Sequence, residues 1–281
     1  TADVSRCRGC GLVQTRPRLS EEALSTFYDQ GYTEFLEGYD PDGRGADWHN
    51  DYRLTVIRKV HPLGPEDRLL DVGCNQGQLL RRAVAATGCR ATGLDVNAAA
   101  LARGGAKGGV DYVEGRPGAA PGLEGRRFSV VTLYQVLEHT TDPVGFLRAT
   151  REYLDDDGIL VVEVPDYGAF WRPLFGRLWA SLMLPQHTLH FDAASLAMVV
   201  REAGYGEVLY HRPMFFPISF TGSLGLVLRE RLGIPPEGAL GKLLMGLAWL
   251  FVDLPAELVL RLVSRTWIQV LIARRGSNDA P

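Results

Sequence analysis

Three histidines stand where the sequence could use them for proton transfer. His139 follows Glu138 at the end of a predicted strand, and His187 and His190 are three residues apart in a later segment. The unperturbed pKa of imidazole is about 6.5, so these side chains could remove a proton near neutral pH. Each could instead form a hydrogen bond that orders a loop. We hypothesise that His187 or His190 is a general base, and both interpretations stay open for His139.

A glycine-bearing turn follows the first predicted buried strand, Arg68–Val72. It reads Asp71-Val-Gly-Cys-Asn-Gln-Gly77 and leads into a predicted helix, Gln76–Thr87. Glycine lets the backbone turn sharply and lets a ligand approach, and the amides at a helix start suit a carboxylate. Asn75 stands where a third glycine often occurs, and asparagine tolerates a positive φ. The plain alternative is an ordinary strand-to-helix turn.

Asp95 ends the second predicted strand, 24 residues after Asp71. An acid at this place can accept both ribose hydroxyls of an adenosine. A nicotinamide-dependent oxidoreductase uses the same logic, but its fingerprint needs Gly-x-Gly-x-x-Gly. The turn between Gly73 and Gly77 lacks the second glycine, so this alternative is disfavoured.

From residue 68 onward, predicted strands alternate with predicted helices. The strands are Arg68–Val72, Ala91–Asp95, Val110–Val113, Phe128–Tyr134, Ile159–Val164, Val208–His211 and Trp267–Ala273. Strands and helices that alternate at this spacing indicate a parallel sheet covered on both faces. Asn97 and Asp142 are predicted helix N-caps, the helix after Asp142 is predicted to run to Leu154, and a later helix is predicted near Asp192–Ala203. The sequence predicts a doubly wound, Rossmann-like α/β fold.

Several motifs in this order resemble those of class I S-adenosylmethionine-dependent methyltransferases. They are Asp71-Val-Gly-Cys-Asn-Gln-Gly77, Gly93-Leu-Asp-Val96, Phe128–His139 and the turn and strand Glu152–Pro165. Pro185-Gln-His-Thr-Leu-His-Phe191 is similar to a histidine motif of the ubiquinone/sugar-type branch, which acts on small molecules. The resemblance implies S-adenosyl-L-methionine as cofactor. It also implies a mostly parallel seven-stranded sheet whose last strand is antiparallel.

The resemblance also implies positions for the cofactor. The residues it assigns to the amino-acid part and the ribose are Asp71, Gly73, Cys74, Asn75, Gly77, Asp95 and Val96, and Tyr134 and Gln135 would flank the methionine and its methyl group. One position departs from the pattern. Arg116 stands where many relatives carry an acid that meets the adenine amine, and arginine cannot accept that hydrogen bond.

The chain divides into four predicted parts. These are an N-terminal segment and helical cap (1–66), the methyltransferase core (67–212), a helical insertion (213–265), and the last strand with the tail (266–281). The cap includes a predicted helix from Ser20 to Gln30. Cys7 and Cys10 resemble one knuckle of a zinc ribbon whose other knuckle would have to precede Thr1. A tetrahedral zinc site needs four ligands, so no bound metal is expected.

The insertion is very apolar over residues 240–263. Its four charged side chains, Lys242, Asp253, Glu257 and Arg261, would fall along one narrow stripe of a helix. These charges and Pro255, which should kink the helix or start a second one, argue against a membrane span. A lid over the acceptor pocket is the favoured function; a dimer face, interfacial membrane contact and a simple packed hairpin are the alternatives.

The charge balance and the cysteine content of the chain indicate which partners and which cellular compartment to expect. The chain has 281 residues and a net charge of −3, with 30 Lys and Arg against 33 Asp and Glu, which disfavours nucleic acid. Four cysteines and no signal-peptide pattern suggest the cytoplasm. We expect O-methylation of a small-molecule acceptor, with a hydrophobic acceptor and a homodimer left open. N- or C-methylation, an oxidoreductase and a non-catalytic fold relative are the alternatives.

Overall fold

The computed structural model describes residues 2–20, 23–24, 44–105, 107–214, 218–263 and 265–276. The predicted helix from Ser20 to Gln30 lies almost entirely outside these residues. The described part contains a large central sheet covered by helices and a small second sheet.

The central sheet has seven strands, which are β3 (Arg68–Val72), β4 (Arg90–Asp95), β5 (Val110–Glu114), β6 (Phe128–Tyr134), β7 (Leu154–Pro165), β9 (Val208–Pro213) and β10 (Ile268–Arg274). Their order in space is β5-β4-β3-β6-β7-β10-β9. The first five in spatial order are parallel, and β10 is antiparallel to both of its neighbours. This confirms the predicted doubly wound sheet with its reversed last strand.

The helices after Asn97 and Asp142 begin where the sequence predicts, and the helix predicted to begin at Gln76 begins at Gln78. The helices around the sheet are α1 (Arg44–Arg58), α2 (Gln78–Thr87), α3 (Ala98–Gly104), α4 (Pro143–Arg151) and α5 (Ala193–Glu202). The side chains of Asn97 and Asp142 accept hydrogen bonds from the backbone N–H three residues later, which confirms the two predicted caps, and Asp192 caps α5 in the same way. The predicted end of α4 at Leu154 is wrong, because Leu154 pairs with Phe128 and opens β7.

Each face of the sheet buries its own apolar cluster. One cluster contains Leu70, Val131 and Leu133, and the other contains Leu69 and Val130. Successive side chains of a strand point to opposite faces, so a strand buried on both sides must be apolar throughout. A polar residue inside such a strand needs a partner. The polar residues at the strand ends form the candidate active site.

The second sheet has three strands and was not predicted. They are β1 (Asp3–Arg6), β2 (Val13–Arg16) and β8 (Leu189–His190), and β2 joins the other two. Val13 pairs with His190, so the N-terminal hairpin is attached to the histidine segment. Cys7 and Cys10 are free thiols in the hairpin turn, and the zinc-ribbon interpretation gains no support here.

The insertion between β9 and β10 is helical, as predicted. Helix α6 (Ser219–Leu232) is followed by α7 (Ala239–Ala248), a π-turn at Trp249–Asp253, and α8 (Leu254–Leu262). The last three form one continuous helix, Ala239–Leu262, which we call the insertion helix. Pro255 lies just after the wider π-turn, which helps a helix accommodate a residue without an N–H.

Asp253 joins the two helices of the insertion. Its carboxylate accepts hydrogen bonds from the N–H groups of Phe220 and Thr221 at 2.8 and 2.7 Å, in the first turn of α6. No side-chain cap is present at Ile218 itself, so Asp253 supplies the acceptor that the helix start requires.

Replacing Asp253 should therefore destabilise the insertion. We expect Asp253→Ala to lower the free energy of unfolding by about 1–2 kcal/mol, because two N–H groups lose their acceptor in a buried place. Denaturant unfolding followed by circular dichroism measures this. Asp253→Asn should retain part of the effect, and Glu230→Ala, which removes an exposed acid of α6, is the matched control. An unchanged midpoint for Asp253→Ala would refute the capping role.

Candidate active site

The glycine-bearing turn lies at the carboxyl edge of β3, against the end of β4. Gly73 and Gly77 have φ values of 75° and 72°, and Asn75 has 51°. A Cβ at Gly73 would lie 2.4 Å from Val136 Cγ2, and one at Gly77 would lie 2.2 Å from the hydroxyl of Tyr112. Both glycines are thus required by backbone conformation and by close packing. This confirms the predicted sharp turn.

Asp95 lies across this turn at the end of β4. Its Oδ2 accepts a hydrogen bond from Asn75 N at 2.8 Å, and its Oδ1 accepts one from Asn97 N at 2.9 Å. A carboxylate oxygen can accept more than one hydrogen bond, so both oxygens keep acceptor capacity. Val96, the next residue, is 64% exposed. Burial raises the pKa of Asp95 above its ordinary value.

Two other predicted residues of the turn point in different directions. The side chain of Cys74 is buried against Gly93, where a Cβ would lie 2.5 Å from the sulfur, so only its backbone could face a ligand. Asn75 Oδ1 is buried and has no hydrogen-bond partner among the described residues. An orphaned buried acceptor marks a place where a donor from outside the chain would be stabilised.

Tyr134 and Gln135 are at the end of β6, beside a buried ion pair. Gln135 Nε2 donates to Glu163 Oε1 at 3.2 Å, and Arg53 donates to both oxygens of Glu163 through Nη2 and Nε. The Arg53 guanidinium lies 4.2 Å from the centre of the Tyr134 ring. His49 Nε2 lies 3.6 Å from the same carboxylate. The guanidinium holds the pKa of Glu163 well below its usual range, although full burial opposes this.

Asp71 lies inside this group, at the end of β3. Its carboxylate accepts a hydrogen bond from the Thr132 hydroxyl at 2.6 Å. Burial raises the pKa of Asp71 to about 7, while Thr132 and the positive charge of Arg53 oppose the shift. Asp71 and Tyr134 are near each other because β3 and β6 are neighbouring strands, and both feel the positive charge of Arg53 on α1, an element that the sequence did not connect with the site.

The three histidines form one cluster. The rings of His139 and His187 are 4.6 Å apart and nearly perpendicular, and those of His187 and His190 are 6.5 Å apart. Burial lowers the pKa of His139 and of His190 to about 4, and it lowers that of His187 well below 6.5. All three imidazoles are neutral at pH 7, and each carries one nitrogen lone pair.

The hydrogen bonds assign which nitrogen carries the proton. His187 Nδ1 lies 2.8 Å from the carbonyl of Ser181, which can only accept, so Nδ1 is protonated and Nε2 has the lone pair. The Thr15 hydroxyl donates to the carbonyl of His187, so at 3.0 Å it must accept from His190 Nε2. His190 thus anchors the N-terminal hairpin through its Nε2, and His187 keeps Nε2 as an acceptor.

Glu138 completes this cluster. One ligand atom each from Glu138, His139 and His187 lies within 4.8 Å of the others. Both carboxyl oxygens of Glu138 are buried and without a hydrogen-bond partner among the described residues. Burial raises its pKa to about 8, and the negative charge of Glu163 adds to the shift. Such a set could transfer a proton or hold a divalent cation.

The sequence reasoning missed Arg53, His49 and Glu163 as members of the site. Glu163 gave a signal, since it is the one ionisable residue in the apolar run Ile159–Val164. A buried carboxylate needs a cationic partner, but the sequence does not say which basic residue supplies it. The predicted residues fall into three groups. One lies at the end of β3, at the end of β4 and on the loops that follow them, one is the pair Tyr134 and Gln135 at the end of β6, and one is the histidine cluster, to which the loop after β6 and the segment after β7 contribute.

Comparisons with known proteins agree with this geometry. A methyltransferase domain family matches residues 48–209. A ubiquinone biosynthesis O-methyltransferase from Cereibacter sphaeroides is 30% identical over 168 residues, which cover 56% of this chain and 67% of that protein. The [4+2]-cyclase SpnF matches with a TM-score of 0.57 and 20% identity over 93% of this chain and 99% of its own.

A structure with the cofactor bound is also similar. Phosphoethanolamine N-methyltransferase 2 from Haemonchus contortus, in complex with S-adenosyl-L-methionine, has a TM-score of 0.53 and 12% identity, covering 94% of this chain and 63% of that one. The reversed strand of the sheet and the glycine-bearing turn define a class I methyltransferase fold. The chain belongs to the methyltransferase domain family. It is an S-adenosylmethionine-dependent methyltransferase.

The buried acid of the histidine cluster should make stability depend on pH. The pKa of Glu138 is about 8 in the folded chain, against about 4.3 in an unfolded one. Between these values the folded state holds the extra proton, so stability falls as pH rises. Relative to the wild type, Glu138→Gln should gain unfolding free energy on the order of 3 kcal/mol from pH 5 to pH 8.

Denaturant unfolding at several pH values measures this difference. Glu114→Gln, which changes an exposed acid at the end of β5, should show no comparable trend. A Glu138→Gln difference that is constant from pH 5 to pH 8 would contradict the raised pKa.

Proposed function

We propose that this methyltransferase transfers the methyl group to a hydroxyl oxygen of a small molecule, with His187 as the general base. The observation that carries the proposal is the neutral His187 ring, whose Nε2 keeps its lone pair and which lies in one cluster with Glu138 and His139. The relative from Cereibacter sphaeroides is named an O-methyltransferase of ubiquinone biosynthesis, which favours a phenolic acceptor.

The loops after β3 and β4 fit S-adenosyl-L-methionine. The orphaned Asn75 Oδ1 would accept from the ammonium of the methionine part, and the first amides of α2 would face its carboxylate. Asp95 would accept the ribose hydroxyls with the lone pairs its two backbone contacts leave over. Gly115 N donates to Asp95 O at 2.9 Å, so Arg116 lies at this edge too.

Tyr134 and Gln135 would lie beside the methyl group, and the Glu163–Arg53 ion pair would hold these two side chains in place. Arg53 lies over the Tyr134 ring, and Gln135 is held by Glu163. When bound, the cofactor supplies an already activated methyl group on a sulfonium. The protein therefore has to align the acceptor and remove its proton.

The proton balance is simple. The acceptor hydroxyl would give its proton to His187 Nε2 when its oxygen bonds to the methyl carbon and the carbon–sulfur bond breaks, which leaves a neutral thioether, and the imidazolium that forms would lie close to the carboxyl of Glu138. The Ser181 carbonyl holds the ring in the required tautomer through Nδ1. His190 is less suited, because its Nε2 already donates to Thr15.

Cofactor binding should depend on Asp95. We expect Asp95→Ala to weaken the binding of S-adenosylhomocysteine at least about tenfold, since a carboxylate that accepts hydroxyl hydrogen bonds contributes roughly 1.5–3 kcal/mol. Isothermal titration calorimetry measures this. Asp111→Ala, on the exposed side of the neighbouring strand β5, is the matched control and should bind normally. Unchanged affinity in a folded Asp95→Ala variant would sink the assignment.

Catalysis should depend on His187 without affecting the cofactor. We expect His187→Gln to lower kcat about 100-fold or more with an ortho-diphenol such as protocatechuate, while S-adenosylhomocysteine binds normally. His211→Gln, which changes a histidine bonded to Gln269 on β10, controls for the loss of an imidazole. Because burial holds the pKa of His187 below 6.5, kcat should not fall between pH 8 and pH 6.5. Undiminished turnover by His187→Gln would exclude it as the base.

A further inference from the structure

The insertion helix, Ala239–Leu262, has a composition that the rest of the fold does not explain. It is 24 residues long, its most apolar stretch has a mean hydropathy of 1.9, and only 17% of that stretch is buried. A core helix of this composition would be mostly buried, and a signal sequence would lie near the N-terminus. At 1.5 Å per residue the helix is about 36 Å long, more than the roughly 30 Å of a bilayer core.

The apolar side chains on its surface are large. The exposed ones from its start to the residue just after its end are Leu240, Leu243, Leu247, Trp249, Leu250, Phe251, Leu258, Val259, Leu262 and Val263. Leu262 is 85% exposed and Phe251 is 69% exposed. Many large apolar side chains exposed along one helix mark a place of contact with a partner or a membrane.

The acidic side chains of the insertion helix are buried, and its basic side chains are exposed. Both acids, Asp253 and Glu257, are buried against the domain, and both exposed charges, Lys242 and Arg261, are basic and lie towards opposite ends. Glu237 precedes the helix and is bonded to Arg229 at 3.0 Å. The outward surface of the insertion helix is therefore apolar and cationic.

Contacts with the rest of the domain fix how the helix lies. The buried Asp253 caps α6, and the guanidinium of the exposed Arg261 lies 5.8 Å from the centre of the Tyr52 ring on α1, at the edge of the helix surface. A helix that crossed a bilayer would have to give up these contacts and expose two acids to lipid. A helix that lies in the membrane surface keeps them, with its apolar side in the acyl region and its basic side chains at the head groups.

We propose that the insertion helix is an interfacial membrane-binding element that docks on an anionic lipid bilayer. The positive charges of Lys242 and Arg261 favour an anionic bilayer over a second copy of the chain. A second copy paired through the same face would bring Lys242 and Arg261 of the two chains towards each other, and like charges oppose association. An anionic bilayer meets the same side chains with the opposite sign and buries the leucines between them. This proposal does not depend on the acceptor of the methyl group.

Vesicle flotation with the full chain tests the proposal. The probes are vesicles of phosphatidylcholine alone and vesicles in which about a quarter of the lipid is phosphatidylglycerol. We expect the chain to float with the anionic vesicles, to bind the neutral ones at least several-fold less, and to dissociate as salt is raised, because screening weakens the attraction to the head groups.

Two pairs of variants separate the apolar and the charge contributions. Leu250→Asp with Leu258→Asp should abolish flotation, and Lys242→Gln with Arg261→Gln should lower the partition coefficient by about fivefold per residue. The matched controls are Val208→Asp, an exposed valine of the edge strand β9, and Arg201→Gln, an exposed arginine of α5. Both controls should float as the wild type does.

Three results would overturn the proposal. They are a wild-type chain that binds neither kind of vesicle, equal binding to both kinds, and flotation that survives Leu250→Asp with Leu258→Asp in a folded variant. Sedimentation equilibrium measures whether a second copy of the chain covers this surface instead. A stable dimer that these aspartates dissociate, together with no vesicle binding, would assign the surface to a second copy instead.

Discussion

The buried ion pair between Glu163 and Arg53 is the interaction on which the candidate site depends. Glu163 sits in the middle of the sheet with no solvent exposure, where a lone carboxylate would be very costly. Its oxygens accept from Arg53 on α1 and from Gln135 after β6. The charge of Glu163 thus holds α1, the helix that carries Arg53, over the ends of β6 and β7. The Arg53 guanidinium in turn lies over the Tyr134 ring.

The same low-polarity surroundings determine the chemistry of the histidine cluster. Burial keeps the three imidazoles neutral and raises the pKa of Glu138, so the cluster holds little net charge until a proton or a ligand arrives. The tautomers are set by backbone carbonyls and by Thr15, a residue of the N-terminal hairpin. The small second sheet therefore orders the site, because it anchors His190 and the segment that carries His187.

The insertion is connected to the same segment. Ser223 of α6 accepts a hydrogen bond from Ala180 N at 3.1 Å, and the next residue, Ser181, holds the ring of His187. Phe220 of α6 packs edge-on against Trp171 and Phe175. Helix α6 therefore contacts the segment that orients His187 and is also capped by Asp253 of the insertion helix. The predicted lid over the acceptor pocket stays untested, but these contacts show the route by which it could act.

The resemblance to class I methyltransferases implied the reversed last strand of the sheet. The sequence by itself determined the alternation of strands and helices, the caps at Asn97 and Asp142, and the positive-φ turn from Gly73 to Gly77. These features are local: periodicity, capping and glycine conformation act over a few residues. It could not determine that Arg53 neutralises Glu163, or that Asp253 caps α6. It could not show which of its charges the insertion helix turns outward. Those depend on which distant groups meet once the chain has folded, and only tertiary packing decides that.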